Sequence, residues 1–272
     1  MTNLQTTYAR FAEGLGQLQI IPLLPFGARI IGLDLSQPLE IEQVVAIRTA
    51  LLEHKMLLLQ DQELSPAEQI SLTRLFGSEL HRAGPSLRYL PDYPEVFRIT
   101  NRQSEGNPNT GQYWHSDGHY LADPSSITVM HIVNATSDGA TLITDACAAF
   151  QRLSEAQKQF LSCHAFHAPE TGATHPILRP HPVTRRMAMY VNLQARAIDR
   201  RGKAAPEVNG LVDQHLSMPG TYYAHQWKSG DTVIVDNFSC AHRGTPSNGA
   251  NLRVLHRTSV TGPSTWWRLL SV

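Results

Sequence analysis

Two residues near the middle of the chain, His115 and Asp117, carry side chains that bind divalent cations. They lie two positions apart in the segment Tyr113–Tyr120. On an extended chain, side chains at positions i and i+2 point to the same face, so an imidazole and a carboxylate could bind one cation together. His119 continues the same alternation, so this segment alone does not decide which pair acts. The spacing is a weak motif that also arises by chance, and a third ligand is needed.

A third ligand, His242, follows a hydrophobic strand. The residues Val233–Val235 predict a buried strand, the chain turns at Asp236 and Asn237, and His242 comes soon after. Two histidines and one carboxylate on one face of an iron ion, with the other positions open, form the facial triad of non-haem Fe(II) oxygenases. The three residues therefore predict an iron site that accepts O₂ and a cosubstrate at its open positions.

Two arginines follow in a β-rich segment, Leu252–Val260. Arg253, Leu255 and Arg257 share one face if this segment is a strand. Burying two guanidinium groups on a largely apolar strand is costly without anionic partners. Guanidinium binds carboxylates and sulfonates through two parallel hydrogen bonds, so the arginines predict sites for such groups. A solvent-exposed strand face is the alternative that these residues alone leave open.

Two helices and a buried strand precede these residues. Apolar residues at nearly helical spacing predict a helix from Leu39 to Lys55, and Met56–Gln60 predicts the strand. Ser65-Pro66-Ala67-Glu68 is a capping box with proline at the first helical position, and its helix should end near Phe76. Ser154 starts another short helix, to about Cys163. Further strands are predicted at Val96–Thr100, Ile127–Val133, Met187–Val191, Tyr222–Trp227, Thr232–Val235 and Leu252–Val260.

The order of these elements predicts the fold class. Helices come first, many strands follow, and the two do not alternate, which disfavours a doubly wound α/β fold. We expect a mainly β protein with helical cover, in a double-stranded β-helix or jelly roll. No repeat, linker or change of composition marks a boundary, so residues 1–272 are expected to form a single domain.

Composition excludes several classes of partner. Lys+Arg and Asp+Glu both number 23, and the absence of net charge disfavours nucleic-acid binding. Aliphatic runs are far shorter than the ~20 residues that span a bilayer, so no membrane span is expected. Met1–Arg10 shows no secretory signal, and Cys147, Cys163 and Cys240 fit neither a disulfide framework nor a C-x-x-C site. We therefore expect a cytoplasmic protein with buried free thiols and a small-molecule substrate.

As a whole, the sequence resembles the taurine dioxygenase-like (TauD/TfdA) family of Fe(II)/2-oxoglutarate-dependent oxygenases, from about Gly27 to Gly262. The resemblance implies an enzyme that uses Fe(II), 2-oxoglutarate and O₂ to hydroxylate or desaturate a C–H bond, releasing succinate and CO₂. It is compatible with a homo-oligomer. The motifs that carry it are Gly32-Leu33-Asp34-Leu35-Ser36, Phe76-Gly77, Trp114-His115-Ser116-Asp117, Gly139-Ala140-Thr141, Gly230-Asp231, Asp236-Asn237, Ala241-His242-Arg243 and Arg253-Val254-Leu255-His256-Arg257.

The resemblance also implies roles for single residues. Arg253 would pair with the far carboxylate of 2-oxoglutarate, and Thr141 would donate its hydroxyl to the same group. Arg257 matches the position that holds the acidic group of a sulfonate or carboxylate substrate. Asp117 disfavours halogenation, because the related halogenases carry a small residue there. The implied iron ligands are His115, Asp117 and His242.

The substrate is less well defined by the sequence. His81 is a candidate substrate contact and Arg82 a weaker one, with ordinary loop residues as the alternative for each. Tyr113, Tyr120 and Phe238 could wall the pocket or serve in packing. A small anionic or amino-acid-derived substrate is expected, with natural-product biosynthesis as one context.

Two further points concern the lid and the alternative function. The interval from His115 to His242 is shorter than in taurine dioxygenase, which implies a different lid, with 101–112 and 171–184 as its candidate segments. A non-redox jelly-roll metal-binding protein or isomerase is the alternative function.

Overall fold

The structure is a computed structural model that describes residues 17–82, 89–108 and 110–262. The predicted lack of a secretory signal at Met1–Arg10 lies outside the described residues. The described strands are β1 (Gln19–Pro22), β2 (Ala28–Ile31), β3 (Met56–Leu59), β4 (Tyr89–Leu90), β5 (Tyr93–Thr100), β6 (Asn107–Pro108), β7 (Ile127–Asn134), β8 (Thr141–Asp145), β9 (His164–Ala168), β10 (Ala173–Pro176), β11 (Leu178–Pro180), β12 (Met187–Met189), β13 (Arg196–Asp199), β14 (Tyr222–His225), β15 (Thr232–Asp236), β16 (Cys240–Gly244) and β17 (Val254–Ser259). The helices are α1 (Ile41–His54), α2 (Pro66–Arg74), α3 (Ala146–Gln151), α4 (Glu155–Leu161) and α5 (Glu207–Leu216).

A large sheet and a small sheet carry most of the strands. The large sheet has the order β1-β2-β3-β15-β7-β17-β5-β4, with β6 added beside β5. The small sheet has the order β14-β8-β16. Pairing is antiparallel except between β2 and β3 and between β5 and β6. Neither sheet closes into a barrel, and two shorter sheets, β10-β9-β13 and β11-β12, lie beside them.

The alternation of side chains along the strands produces separate apolar layers. On one face of the large sheet, residues such as Met130, Val233 and Leu255 pack with Ile143 and Cys240 of the small sheet. The opposite face packs against α1 and α2, and the small sheet packs on its outer side against α3, α4 and α5. Helices therefore cover both sheets from outside, and the space between the sheets remains for a site.

Local signals in the sequence account for the first helices. Ser65 accepts a hydrogen bond from the backbone of Glu68, whose side chain bonds back to Ser65, so the predicted capping box opens α2. Glu40 and Gln43 form a second reciprocal pair that opens α1. All four residues of β3 are buried, because this strand has helices on one face and the small sheet on the other.

Most predicted elements are present with ends shifted by a few residues. Other elements were missed. Helix α5 begins after Pro206 and contains Gly210, which weakens a helix signal, but its apolar residues are buried on one side. The last residue of the motif Gly139-Ala140-Thr141 is the first residue of β8, and the segment after Asn237 leads into β16. Both strands are short and pair with each other, a long-range contact that local patterns do not report.

The cysteines and the helices bear on two expectations from composition. The three cysteines are free, as predicted, but Cys163 is only partly buried whereas Cys147 and Cys240 are buried. Cys163 follows the last residues of α4 near the surface, which explains the difference. No described helix combines the length and the apolar character needed to cross a membrane.

Candidate metal centre and its two cavities

His115 and His242 are held side by side by backbone hydrogen bonds. The N–H of each residue donates to the carbonyl of the other, at 3.0 and 2.9 Å, as in one rung of an antiparallel ladder. The two rings therefore lie on the same side, with their centroids 4.4 Å apart. His242 belongs to β16, and His115 pairs with it as an isolated bridge while also bridging to Asn192.

Asp117 completes a group of three possible metal ligands. One ligand atom from each of His115, Asp117 and His242 lies within 4.8 Å of the others, and all three residues are buried. The alternation predicted for an extended chain holds only as far as Ser116, since a turn begins at Asp117. The carboxylate still faces the histidines, with its two oxygens 3.7 and 3.9 Å from their Nε2 atoms.

The protonation states of these groups suit a cation. Nδ1 of His115 lies 2.8 Å from the carbonyl oxygen of Tyr113, which only accepts, so Nδ1 carries the proton and Nε2 keeps its lone pair. Burial lowers the pKa of His115, and burial together with His115 lowers the pKa of His242 to about 3. Both imidazoles are therefore neutral at neutral pH, which is the form that binds metals.

The carboxylate of Asp117 is ionised although it is buried. Burial by itself would raise its pKa, but the guanidinium of Arg257, followed by the two histidines and the hydroxyl of Thr128, holds this pKa well below its usual range. Nη1 of Arg257 lies 2.6 Å from Oδ1 of Asp117. The group thus combines two neutral nitrogen ligands with one anionic oxygen ligand, a set that suits Fe(II) and leaves other coordination positions open.

A first cavity lies on one side of His115. Arg253, Leu255 and Arg257 all line it, although Arg253 lies just before the first residue of β17 and not within the strand. Arg253 is buried, its Nε has no partner among the described residues, and burial lowers its pKa to about 10. Such a group favours an anion. Thr141 lines the same cavity.

Trp227 orients the hydroxyl of Thr141. Its Nε1–H donates to Oγ1 of Thr141 at 2.9 Å. Because an indole N–H only donates, the hydroxyl oxygen is the acceptor and its own hydrogen stays available for another acceptor. The sequence singled out Thr141 but not Trp227, which had been placed in the predicted strand Tyr222–Trp227. An indole two residues beyond the end of β14 gave no functional signal.

A second cavity, of about 180 Å³, lies on the other side of His115. His81, Tyr113 and Tyr120 line it, together with Arg257. The hydroxyl of Tyr120 lies 2.7 Å from Nε2 of His81. His119 also lines this cavity, and its Nε2 lies 3.8 Å from a carboxylate oxygen of Glu170.

The backbone at Gly111 lies between the two cavities. Thr110 and Gly111 line both, along with His115 and Arg257. Gly111 has φ +74°, and a Cβ there would lie 2.7 Å from Cε1 of His115. Only glycine fits so close to the imidazole in this backbone conformation. Its carbonyl also accepts from the N–H of Gly244, which fixes this segment over β16.

Phe238 and Arg82, for which the sequence left a role at the site open, line neither cavity. The ring of Phe238 lies 4.1 Å from the guanidinium carbon of Arg179, so this residue takes the packing role. Arg82 points to Glu95, with 2.7 Å between Nη2 and Oε1. Both side chains contact residues that the strand and loop patterns of the sequence do not identify.

The two candidate lid segments also differ from each other. In 101–112, three residues line a cavity (Asn109 lies outside the described residues), whereas 171–184 forms β10 and β11 and contributes none.

Comparison with known proteins identifies the family. The model of the family described as taurine catabolism dioxygenase TauD, TfdA family matches residues 19–259. The chain belongs to this family. The predicted resemblance is confirmed, and so is the jelly-roll fold with helical cover. The TauD/TfdA members are dioxygenases, and this chain is accordingly an Fe(II)- and 2-oxoglutarate-dependent dioxygenase that uses O₂.

Individual relatives agree with this family. The chain is 26% identical to an (S)-phenoxypropionate/alpha-ketoglutarate-dioxygenase of Delftia acidovorans, over 90% of this chain and 95% of the relative. It is 25% identical to an alkylsulfatase of Acinetobacter baylyi, over 92% and 86%. A crystal structure of a taurine dioxygenase from Burkholderia xenovorans superposes with a TM-score of 0.77 at 25% identity, covering 90% of each chain.

Proposed function

We propose that this TauD/TfdA member, acting as one domain over residues 1–272, hydroxylates or desaturates a C–H bond of a small anionic substrate. In this proposal Arg253 and Thr141 bind 2-oxoglutarate, and Arg257 and His81 contact the substrate. Bound iron with 2-oxoglutarate and O₂ supplies the oxidising power and releases succinate and CO₂. The proposed iron ligands are His115, Asp117 and His242.

One observation carries the proposal. The side chains of Arg253, just before β17, and Arg257, within it, line two cavities that both include His115. The first cavity offers Arg253 and the Thr141 hydroxyl, which together match one carboxylate. The second offers Arg257, whose Nη1 is engaged by Asp117 and whose remaining N–H groups can bind an anion. Two anions on either side of one metal are what a 2-oxoglutarate enzyme with an anionic substrate requires.

The electrostatics of the site support the binding of anions. Arg253 is buried and forms no ion pair with another described residue. Asp138, the charge that raises its pKa, is already bonded to Ser247 and to two backbone N–H groups. An incoming carboxylate would therefore remove a desolvation cost and form a charge-assisted pair. The names of the relatives, a phenoxypropionate dioxygenase and an alkylsulfatase, also point to anionic substrates.

An anaerobic titration with Fe(II) and then 2-oxoglutarate, followed by visible absorption, tests the iron and cosubstrate sites. We expect a charge-transfer band only when both are present, and no band in His115→Ala. Arg253→Ala should require at least ~30-fold more 2-oxoglutarate, because a buried ion pair is lost. Arg98→Ala is the matched control, since Arg98 lies on the neighbouring strand β5 and pairs with Glu105 instead.

The outcome also separates the alternative function. Bound metal without a band would favour the non-redox metal-binding protein or isomerase, and unchanged 2-oxoglutarate affinity in Arg253→Ala would remove this residue from its role. The substrate class is then tested by succinate release with carboxylates, sulfonates, sulfate esters and amino-acid derivatives, beside their neutral amide analogues. Turnover of the neutral compounds alone would contradict the anionic substrate. A natural-product context is a further proposal that this screen would sharpen.

A further inference from the structure

A buried chain of polar groups ends on the carboxylate of Asp117. Oγ1 of Thr128 lies 2.6 Å from Oδ2 of Asp117. The same hydroxyl lies 2.8 Å from Nδ2 of Asn237 and 3.1 Å from Oγ of Ser259. All four residues are buried. None of the three groups around Asp117 was singled out for chemistry by the sequence, and the proposed binding of 2-oxoglutarate and substrate does not use them.

The direction of each hydrogen bond follows from the number of hydrogens. An ionised carboxylate only accepts, so the single hydroxyl hydrogen of Thr128 goes to Asp117. The amide Nδ2 of Asn237 only donates, so Thr128 is the acceptor there. Ser259 must then donate to Thr128, because Thr128 has no second hydrogen to give. Two donors thus converge on one hydroxyl, which donates in turn to the carboxylate.

Three neighbouring strands fix the position of this hydroxyl. Thr128 is in β7 and pairs in register with Val235 of β15 on one side and with Ser259 of β17 on the other. Asn237 directly follows β15, and its Oδ1 accepts from the backbone N–H of Asp117 at 3.3 Å. Asn237 therefore contacts the main chain of Asp117 directly and the carboxylate through Thr128.

We infer that Thr128 is a positioning residue that fixes the carboxylate of Asp117 for metal binding. The inference rests on the proposed role of Asp117 as an iron ligand. A carboxylate turns about its Cβ–Cγ bond unless both oxygens are held. Here Arg257 holds Oδ1 and Thr128 holds Oδ2, so the orientation is set before a metal binds and little freedom is lost on binding.

Three threonine variants test this inference. Thr128→Val keeps the shape of the side chain and removes the hydroxyl, and Thr128→Ser keeps the hydroxyl. Thr144→Val is the matched control, because Thr144 is an equally buried strand threonine whose hydroxyl bonds to backbone carbonyls of Leu216 and Thr221. The probe is Mn(II) alone, titrated without oxygen or cosubstrate and followed by the electron paramagnetic resonance signal of the free ion. His115→Ala reports whether the ion binds at the proposed centre.

We expect Thr128→Val to bind Mn(II) about 10-fold more weakly than the wild type, which is a usual effect of losing a group that orients a metal ligand. Thr128→Ser should restore the affinity to within about 3-fold, and Thr144→Val should bind like the wild type. Thermal unfolding in EDTA compares the stability of the metal-free variants. Wild-type affinity in Thr128→Val, or equal losses in Thr128→Val and Thr144→Val, would overturn the inference. Unchanged Mn(II) affinity in His115→Ala would instead overturn the proposed metal centre itself.

Discussion

The protein buries two pairs of histidines in different surroundings. His115 and His242 lie between the two sheets, whereas His131 of β7 and His256 of β17 are register partners on the face of the large sheet that α2 covers. Burial lowers the pKa of all four imidazoles, so both pairs are neutral at neutral pH. Only the pair between the sheets belongs to a cluster of possible metal ligands in the described residues.

The difference between the pairs lies in the groups around them. Nδ1 of His131 is 3.0 Å from the hydroxyl of Thr232, and Nδ1 of His256 has no partner among the described residues. The carboxylate that acts on His131, that of Asp231, has its Oδ2 atom 3.0 Å from Nε2 of His225. Two buried neutral imidazoles are thus insufficient for a metal site. An ionised carboxylate, held by its own partners, distinguishes the inner pair.

The largest expected effect comes from removing the charge of the carboxylate beside His115 and His242, the inner pair. Asp117→Asn removes this charge and keeps the size of the side chain, so the inner pair then resembles the outer pair, His131 and His256. We expect Mn(II) or Fe(II) affinity to fall on the order of 1,000-fold, about 4 kcal/mol, because one of three ligands loses its charge. Anaerobic calorimetry measures this change.

The control for this comparison is His131→Asn in the outer pair, which should leave metal affinity unchanged. Loss of affinity in His131→Asn equal to that in Asp117→Asn would show that the two pairs do not differ as described.

The stability of the protein in acid tests the outer pair of histidines, His131 and His256. Burial, with the charges of Arg98 and His131, lowers the pKa of His256 from 6.5 to about 4. Protonation of His256 is less favourable in the folded protein than in the unfolded chain. The free energy of unfolding is therefore unaffected above pH 6.5 and decreases as the pH falls from 6.5 towards 4. His256→Leu should remove about 3 kcal/mol of this acid-induced loss at pH 4. Urea unfolding in EDTA at pH 7 and pH 4 measures the effect.

His167→Leu, on the short sheet at β9, is the control for that experiment and should lose stability in parallel with the wild type. An acid-induced loss of the same size in His256→Leu and the wild type would contradict the buried neutral state of His256.

The smallest effect concerns the hydroxyls of Thr141 and Thr232, each of which is hydrogen-bonded to a ring nitrogen. Trp227→Phe removes the donor that orients Thr141 in the first cavity. We expect 2-oxoglutarate to bind about 5-fold more weakly, since one hydrogen bond contributes about 1 kcal/mol. Thr232→Val removes the hydroxyl bonded to His131 outside the cavity and should leave the affinity unchanged. Titration of the two metal-loaded variants with 2-oxoglutarate compares their affinities for this cosubstrate. Equal affinities in Trp227→Phe and Thr232→Val would exclude the orienting role of Trp227.

The sequence predicted the parts of the molecule in which one local pattern dominates. The capping box at Ser65 and the apolar run of β3 depend on neighbours in the chain, and both elements are present. The three possible metal ligands were found because few residue types bind cations, although the spacing of His115 and Asp117 is a weak motif by itself. Arg253 was singled out because burial of a guanidinium is costly without an anionic partner, and this residue is indeed buried, just before β17.

The parts that were missed depend on pairing between distant segments. Strands β8 and β16 pair with each other across the site, and neither has a strong pattern of its own. Thr128 and Asn237 are ordinary strand and turn residues in the sequence, and only the register of β7 with β15 and β17 brings them to Asp117. The sequence did not decide whether Phe238 walls the pocket or serves in packing, because its contact with the half-buried Arg179 joins residues far apart in the chain.

Arg253 and Arg257 are spaced by one continuous piece of backbone. Arg253 directly precedes β17 and Arg257 is its fourth residue, and the strand is hydrogen-bonded to β5 on one edge and to β7 on the other, with a register shift between Val254 and Leu255. In the proposed function the two guanidinium groups bind different molecules. The backbone of the large sheet then acts as a molecular ruler between the anion of 2-oxoglutarate and the anion of the substrate.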